Sequence, residues 1–248
     1  HDIGIHPRSQ ARILSGIKSF FRFLIMADYL EADPSELLEG PKIGLKLPEV
    51  LTVEEIDNII SSVDRSKAEG QRNRAILETL YSCGLRVSEL VNLKLSDLYF
   101  DEGFIKVEGK GNKQRLIPIS PRAINEIKLY FTDRNQIEVK SGHEDFVFIS
   151  LRRGKRLSRI MIFHMIKELA QQAGITKNIS PHTFRHSFAT HLLEGGANLR
   201  AIQCMLGHES IATTEIYTHI DRNVLRSEII EHHPRNIKYR KEKESLFH

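Results

Sequence analysis

The sequence contains only two cysteines in 248 residues, Cys83 and Cys204, and both lie in apolar helical patterns. This number and spacing support neither a disulfide framework nor a CxxC metal site, so we expect buried free thiols in a reducing compartment. No apolar run reaches the roughly 18 residues of a membrane span, and the N-terminus lacks a signal-peptide pattern. Internal repeats and low-complexity tracts are also absent. These absences predict a folded, cytoplasmic protein without a membrane partner.

The composition is that of an ordinary folded chain, with 40% hydrophobic and 27% charged residues. Its length suffices for one large or two modest domains. The net charge of +4 and the pI near 9.0 are compatible with a polyanionic partner but do not demonstrate one. The chain begins at His1 rather than at a methionine and enters a helical pattern almost at once. We therefore expect that an N-terminal piece is missing.

The first 50 residues carry one long helical pattern and then a linker pattern. Residues 7–30 place apolar residues at helical spacing, which predicts an amphipathic helix. The opposite face of this helix is basic and consists of Arg8, Arg12, Lys18 and Arg22. A solvated surface is the simplest interpretation of this face, and contact with a polyanion is the alternative. The segment "EGPKIGLKLPEV", residues 39–50, has the prolines and glycines of a linker.

The remaining chain alternates helical and strand patterns. Thr52 and Glu55 form a capping-box pattern before helices that continue to about Leu95, with Gly84 as a helix stop. Residues 97–120 contain the turn signals "DEG" and "GKGN", which predict three short antiparallel strands. Helical patterns resume at Pro121. The predicted fold is mainly α with a small antiparallel three-stranded sheet (α+β).

A cluster of polar residues follows in "SPHTFRHSFATHLLEGGANLRAIQCMLGHESIATTEIYTH", residues 180–219. Ser180 and Pro181 are typical of a helix start, so His182, Arg185 and His186 should share one arc of the first turns. Gly207 should stop the next helix. His208 then lies just past a helix end, and Tyr217 lies nine residues later. Helix breaks of this kind bring side chains from separate helices to one point.

These residue types suit chemistry at a phosphodiester. Arginine binds phosphate oxygens through a planar fork, and preorganised cations stabilise the charge that develops during attack. Tyrosine needs cationic neighbours and a base to act as a nucleophile. A second arginine, Arg86, follows the Gly84 stop, and Glu89 is placed three residues later to orient it. Lys110, at the tip of the predicted hairpin, suits a general acid, and Lys113 is its main rival.

At this point the sequence strongly resembles the tyrosine recombinase (phage-integrase-like) family and, within it, the Xer recombinases of bacteria. The resemblance extends from about Ile13 to Arg235 and rests on "GLRVSEL", "GKGNKQRLIP", "SPHTFRHSFATHLL", "LGHESIATTEIYTH" and "HHPR". It implies a partial helical core-binding (SAM-like) domain over residues 1–40 and a linker over 41–50. The catalytic domain then occupies residues 51–236, and a charged tail occupies 237–248.

The resemblance implies a mechanism in which a tyrosine attacks the scissile phosphate and forms a 3′-phosphotyrosyl bond. Arg86 and Arg185 would hold the non-bridging oxygens with help from His208. Tyr217 would be the nucleophile and His182 the base, while Lys110 would protonate the leaving 5′-hydroxyl. The reaction conserves bond energy, so neither ATP nor a metal ion nor another cofactor is expected. The Xer resemblance further implies chromosome-dimer resolution at cell division.

The implied partners are a double-stranded DNA site, a homo- or hetero-tetramer with a second Xer-type recombinase, and an FtsK-type DNA translocase. The "HHPR" segment and the apolar residues Val224, Leu225 and Ile229 predict a C-terminal helix that docks on a neighbouring subunit. DNA as the substrate gives the basic face of residues 8–22 a role in phosphate contact.

Several alternatives remain open from the sequence alone. An integrase of a mobile element would use the same chemistry, and so would a type IB topoisomerase, although the chain is short for that family. A DNA-binding protein that has lost catalysis is a further alternative. A missing catalytic residue would favour it, but all six positions of the catalytic set carry the expected residue. A zinc cluster of His182, His186, His191 and His208 is disfavoured because no acidic ligand follows the pattern. His186, His191 and His219 are interpreted as structural.

Overall fold

A computed structural model describes residues 4–41, 49–207 and 222–237. The chain forms two compact units, residues 1–47 and 48–248. Within the described ranges, no helix is both long and apolar enough to cross a membrane.

The first unit is built on one helix, α1 (Pro7–Met26). The sequence pattern predicted a helix to residue 30, and this end point is wrong by about one turn. The chain leaves the helix at Ala27, and Asp28 has a positive φ of 56°, a conformation that does not continue an α-helix. None of the residues of α1 is buried, and its apolar side chains Phe20 and Phe23 are more than half exposed.

The second unit contains the remaining helices and the sheet. Its helices are α2 (Val53–Ser61), α3 (Gly70–Cys83), α4 (Val87–Asn92), α5 (Pro121–Arg134), α6 (Arg159–Gln172), α7 (Pro181–Glu194), α8 (Leu199–Leu206) and α9 (Arg222–His232). The strands are β1 (Leu98–Tyr99), β2 (Phe104–Glu108) and β3 (Gln114–Pro118). This architecture confirms the predicted fold class, mainly α with a small three-stranded sheet.

The sheet is an antiparallel meander in the order β1-β2-β3. Tyr99 pairs with Phe104 across the first turn, and Glu108 pairs with Gln114 at the end of the second hairpin. A short 3-10 turn, Lys110–Asn112, connects β2 to β3. The three predicted strands are therefore present, and the "GKGN" signal lies at the tip of the second hairpin.

Helix α3 is the centre of the second unit. Nearly all of its side chains are buried, and it packs against α5 and α7, as expected for a helix enclosed on all sides. It ends at Gly84, which has the left-handed conformation (φ 57°) that glycine adopts without strain. A Cβ at Gly84 would lie only 2.4 Å from the Phe188 ring of α7. The end of α3 is thus fixed against α7, and Arg86 follows two residues later.

The "HHPR" segment packs on the core of its own chain, and docking of the C-terminal helix on a neighbouring subunit stays a prediction. Leu225 and Ile229 of α9 are buried within the second unit, as is His233. Arg235 reaches Asp57 at 2.6 Å and also pairs with the buried carboxylate of Glu78. In this single chain, the apolar face of α9 and the Arg235 ion pairs are therefore buried against the second unit.

Candidate active site

Arg86 lies at the N-terminus of α4, where local geometry fixes both its backbone and its side chain. The Arg86 backbone N–H donates to Glu89 Oε2 at 2.8 Å, and its Nη1 donates to Glu89 Oε1 at 2.8 Å. The predicted contact between these residues is therefore present. The Arg86 side chain remains 38% exposed, whereas that of Glu89 is 1% exposed. This arrangement leaves a guanidinium at the surface that is held from beneath by a buried carboxylate.

Arg185 is buried on the second turn of α7. Its Nη1 donates to the Gly84 carbonyl at 2.7 Å, and its Nη2 donates to the Leu206 carbonyl. Burial and then the charge of Arg86 lower the pKa of Arg185 to about 10. Arg185 is still protonated at neutral pH, so the site brings two guanidinium charges close together.

Among the residues that the structure describes, Glu89 is the one carboxylate that the arginines of this site share. Burial alone would raise its pKa, but hydrogen bonds and charge from Arg115, followed by hydrogen bonds from Arg86, keep the pKa of Glu89 below its ordinary value. Arg185 Nη1 lies 3.9 Å from Glu89 Oε2. Glu89 is therefore ionised at neutral pH and surrounded by three cations.

Three successive carbonyl groups at the C-terminal end of α8 also bind the arginines. Together with Glu89, these carbonyl groups form what we call the frame of the site. Arg115 Nε donates to the Met205 carbonyl at 2.9 Å, Arg185 to the Leu206 carbonyl, and Arg86 Nη2 to the Gly207 carbonyl at 3.1 Å. The last carbonyls of a helix have no partner within the helix and carry the negative end of its dipole. The end of α8 thus holds all three guanidinium groups, immediately before residue 208.

Arg115 is the functional candidate that sequence reasoning missed. It lies on β3, opposite Val107, and forms a bidentate pair with Glu89 through Nη1 at 2.8 Å and Nη2 at 3.0 Å. Its position in "GKGNKQRLIP" was visible, but its partners are 26 and 90 residues away in the chain. The available signal was Glu89 itself, because a buried carboxylate is paired with a cation and Arg86 is in part exposed to solvent.

The histidines of α7 separate onto different faces. His182 is exposed on the first turn, one turn before Arg185, and His186 is half-buried. His191 is buried, its Nδ1 lies 2.7 Å from Tyr81 Oη, and burial lowers its pKa. His191 and His182 therefore cannot face one metal ion. Within the described ranges, no group of three or more histidine, cysteine or acidic residues is arranged to hold a metal.

The hairpin tip carries the two candidate lysines of the sequence. Lys110 begins the 3-10 turn, and the Lys113 carbonyl accepts a hydrogen bond from the Gly109 N–H at 2.8 Å. A Cβ at Gly109 would lie 3.4 Å from Arg115 Nη1 and 3.9 Å from Glu89 Oε1. The base of this turn is therefore beside the Glu89 cluster, and the choice between Lys110 and Lys113 stays a prediction.

Two predicted site residues, His208 and Tyr217, lie outside the described residues. The described chain stops at Gly207, whose carbonyl binds Arg86, and resumes at Arg222 at the start of α9. The four predicted DNA-binding residues lie on α1 in the first unit. Arg8, Arg12 and Arg22 are exposed there, and Lys18 is half-buried. Lys18 and Arg22 line a shallow groove.

A second exposed basic group, which the sequence analysis did not single out, lies in the loop before α6 and at the first residue of that helix. It consists of Arg152, Arg153, Lys155, Arg156 and Arg159. Arg156 contacts Asn92, the last residue of α4, and stacks 5.4 Å from the centre of the Phe146 ring. Since α4 has six residues, Asn92 is about 9 Å along the helix from its start beside Arg86. This basic loop is therefore a neighbour of the arginine cluster.

The chain is similar to known proteins in both sequence and fold. Residues 49–223 match the Phage integrase family, a range that includes His208 and Tyr217. The chain is 45% identical over 236 residues to the tyrosine recombinase XerD of Staphylococcus saprophyticus, a match that covers 95% of this chain and 79% of the relative. Its fold is similar to that of XerA recombinase, with a TM-score of 0.61 and 35% identity over 88% of this chain and 74% of XerA.

The fold is also similar to XerH recombinase bound to its palindromic difH substrate in a post-cleavage complex. That similarity has a TM-score of 0.60 and 29% identity, and it covers 76% of this chain and 54% of the XerH chain. The family match spans well over half of the sequence and contains the arginine cluster. The chain therefore belongs to the phage integrase family and is a tyrosine site-specific recombinase, an enzyme that breaks and rejoins DNA strands.

Proposed function

We propose that this recombinase is a Xer enzyme that resolves chromosome dimers, with its active site on the Arg86–Glu89–Arg185 cluster. The observation that carries the proposal is the convergence of Arg86 and Arg185 on Glu89 and on the end of α8. Two guanidinium groups held in this way offer a fixed positive site for a phosphate. The similarity to XerD over 95% of the chain supports the Xer assignment.

In the proposed reaction, Tyr217 attacks the scissile phosphorus through its oxygen. The bond between phosphorus and the 5′ oxygen breaks, a 3′-phosphotyrosyl bond forms, and a 5′-hydroxyl leaves. His182 takes the tyrosine proton, and Lys110 supplies the proton to the leaving oxygen. Arg86 and Arg185 bind the non-bridging oxygens with His208. The 5′-hydroxyl of a partner strand then attacks the linkage and releases Tyr217, which exchanges the strands.

The DNA duplex is proposed to contact basic groups in both units. Exposed arginines on α1 and in the basic loop before α6 carry the charge needed to bind phosphates without reading sequence. We propose the corresponding division of the chain into a core-binding domain at residues 1–40, a linker at 41–50, a catalytic domain at 51–236 and a tail at 237–248. The XerH complex with difH is a precedent for DNA binding by a similar protein.

The proposed assembly on DNA is a tetramer, formed with copies of this chain or with a second Xer-type recombinase and activated by an FtsK-type translocase. In the single chain, Leu225, Ile229 and His233 are buried against the core of the second unit. Val224, at 45% exposure, is the apolar residue of the predicted docking set that remains accessible.

The decisive experiment uses nicked suicide duplexes made from candidate chromosomal sites and from the ends of mobile elements. The wild-type protein should form a denaturant-resistant covalent adduct at the 3′ phosphate of a chromosomal site. Tyr217→Phe should retain DNA binding and lose the adduct, because it removes the attacking oxygen and little else. An adduct with the phenylalanine variant would reject Tyr217, and cleavage restricted to mobile-element ends would favour an integrase role.

A further inference from the structure

We infer that Arg115 balances the charge of Glu89, so that the charges of Arg86 and Arg185 remain available to the DNA phosphate. This inference rests on the proposed function of that cluster. Arg115 acts as a positioning residue: it binds Glu89 and the end of α8 rather than the substrate. Nothing in the sequence pattern or in the similarity to known recombinases assigns it this role.

The hydrogen bonds show which cation is paired most completely with Glu89. Arg115 meets both carboxylate oxygens in a bidentate pair, at 2.8 and 3.0 Å. The Arg86 side chain meets one oxygen at 2.8 Å, and Arg185 is 3.9 Å from the other. A bidentate guanidinium–carboxylate pair is the strongest of these geometries. The negative charge of Glu89 is therefore directed mainly to Arg115.

The contacts of Arg115 tie it to protein groups at every guanidinium nitrogen. Two of these nitrogens donate to Glu89 and the third donates to the Met205 carbonyl. For Arg86, in contrast, the side chain is 38% exposed, and one of its nitrogens meets Glu89 while another meets the Gly207 carbonyl. Arg115 is thus committed to the frame, and its influence on a bound phosphate passes through Glu89.

The charge count gives the consequence of losing Arg115. Within the described part of the cluster, three arginines and one carboxylate leave a net charge of +2, which matches the two guanidinium groups proposed to bind phosphate. Without Arg115, the carboxylate must pair with Arg86 and Arg185, and it also repels the phosphate. Charges separated by a few ångströms at a poorly solvated site interact strongly. A neutral residue at position 115 should therefore weaken stabilisation of the transition state even if the fold is unchanged.

The test measures single-turnover cleavage of a suicide duplex by Arg115→Gln. We expect cleavage about 10- to 100-fold slower than wild type, a smaller loss than the roughly 100- to 1,000-fold for removal of a direct donor. The double variant Glu89→Gln with Arg115→Gln removes both charges and should cleave faster than Arg115→Gln alone. Arg115→Lys retains the charge and should also cleave faster than Arg115→Gln.

A second substrate separates charge from packing. A methylphosphonate at the scissile position replaces one charged oxygen by a methyl group, so the reacting centre carries one negative charge less for Glu89 to repel. The deficit of Arg115→Gln relative to wild type should be smaller on this DNA. Arg74→Gln is the matched control, since it breaks a partly buried pair with Glu126 elsewhere in the unit. It should lower the melting temperature and leave both cleavage rates of the folded protein unchanged.

Each outcome bears on the inference. Wild-type cleavage by Arg115→Gln, an equal deficit on both substrates, or a double variant no faster than the single variant would overturn charge balance by Arg115. If wild type forms no adduct on any candidate site, the proposed function fails and the inference falls with it. Cleavage by wild type supports the proposed function. A double variant faster than Arg115→Gln, together with a smaller Arg115→Gln deficit on methylphosphonate DNA, supports charge balance by Arg115.

Discussion

Arg185 illustrates how a single side chain is held by the backbone of two distant segments. It donates to the carbonyls of Gly84 and Leu206, at the ends of α3 and α8. A lysine has one nitrogen and lacks the planar fork, so it cannot reproduce this pair of contacts and bind a phosphate as well. We expect Arg185→Lys to cleave at least about 100-fold more slowly than wild type. Its affinity for DNA should change little, because most of the proposed phosphate contacts lie elsewhere.

The measurement is single-turnover cleavage on a suicide duplex, with binding measured by gel shift. Arg134→Lys is the control, because Arg134 is also buried and also donates to backbone carbonyls, those of Phe146 and Val147. It should reduce stability without reducing the cleavage rate of the folded protein. Equal cleavage by Arg185→Lys and wild type would show that Arg185 does not bind the phosphate.

At the scale of residues, the sequence predicts contacts that are local and misses those that are not. The Arg86–Glu89 contact follows from a spacing of three on a helix. The bond from Arg115 to Glu89 depends on how β3 packs beside α4 and α8, which no periodicity encodes. The role of Tyr217 could be proposed only from its motif, and the residue lies outside the described ranges.

At the scale of elements, the end of α3 links packing to the site. Gly84 has a φ of 57°, and a Cβ there would overlap the Phe188 ring at 2.4 Å. Gly84→Ala should therefore destabilise the protein by about 2 to 4 kcal/mol, through backbone strain and steric overlap together. It should also slow cleavage, because the Gly84 carbonyl holds Arg185. Denaturant unfolding and single-turnover cleavage measure the two effects.

Gly174→Ala provides the matched control for this prediction. Gly174 also has a positive φ, 73°, but a Cβ there would meet no atom within 4 Å. The substitution should cost about 1 kcal/mol of strain alone and leave cleavage unchanged. If both variants lose the same stability and cleave equally, the contact between Gly84 and Phe188 has no bearing on the site.

The helix and strand patterns of the second unit were predictable because glycine stops, caps and turn signals mark their ends. The capping box at Thr52 forms as predicted, with hydrogen bonds of 3.2 and 2.8 Å to Glu55. The end of α1 was not predictable from hydrophobic spacing, because apolar residues continue beyond Met26 while the backbone turns at Asp28. The packing of "HHPR" on its own chain was missed because an apolar helix face does not reveal which surface it covers.

At the scale of the whole molecule, buried His233 makes stability depend on pH. It is fully buried beside Tyr81 and Phe188, with its Nε2 3.2 Å from the Tyr81 carbonyl. Burial, followed by the charges of Arg235 and His191, lowers the pKa of His233 to about 3. Below pH about 6.5 the unfolded chain binds a proton here that the folded chain does not. Stability should therefore fall as the pH decreases from about 6.5 toward 3.

Denaturant unfolding of wild type and His233→Gln between pH 7 and 5 checks this linkage. The variant should be less stable at pH 7. Below pH 6 its free energy of unfolding should fall less steeply than that of wild type, and the two slopes should differ by about 1 kcal/mol per pH unit. His164→Gln, at an exposed position of α6, should retain the wild-type slope. Parallel curves for wild type and His233→Gln would contradict a neutral, buried His233.

The anchoring of three guanidinium groups by the carbonyls of residues 205–207 has a consequence for evolution. A backbone carbonyl is the same whichever side chain its residue carries, so substitution in the last turn of α8 leaves the arginine acceptors in place. Drift at Met205 and Leu206 is limited by their burial in the core rather than by catalysis. Gly207 is the exception, because its φ is 61° and a Cβ at this position would lie 3.1 Å from the Arg115 guanidinium, so a side chain here would be strained and would displace Arg115. Substitutions in the last turn of α8 should therefore leave the acceptors of the three arginines unchanged, whereas a substitution at Gly207, which follows the helix, should not.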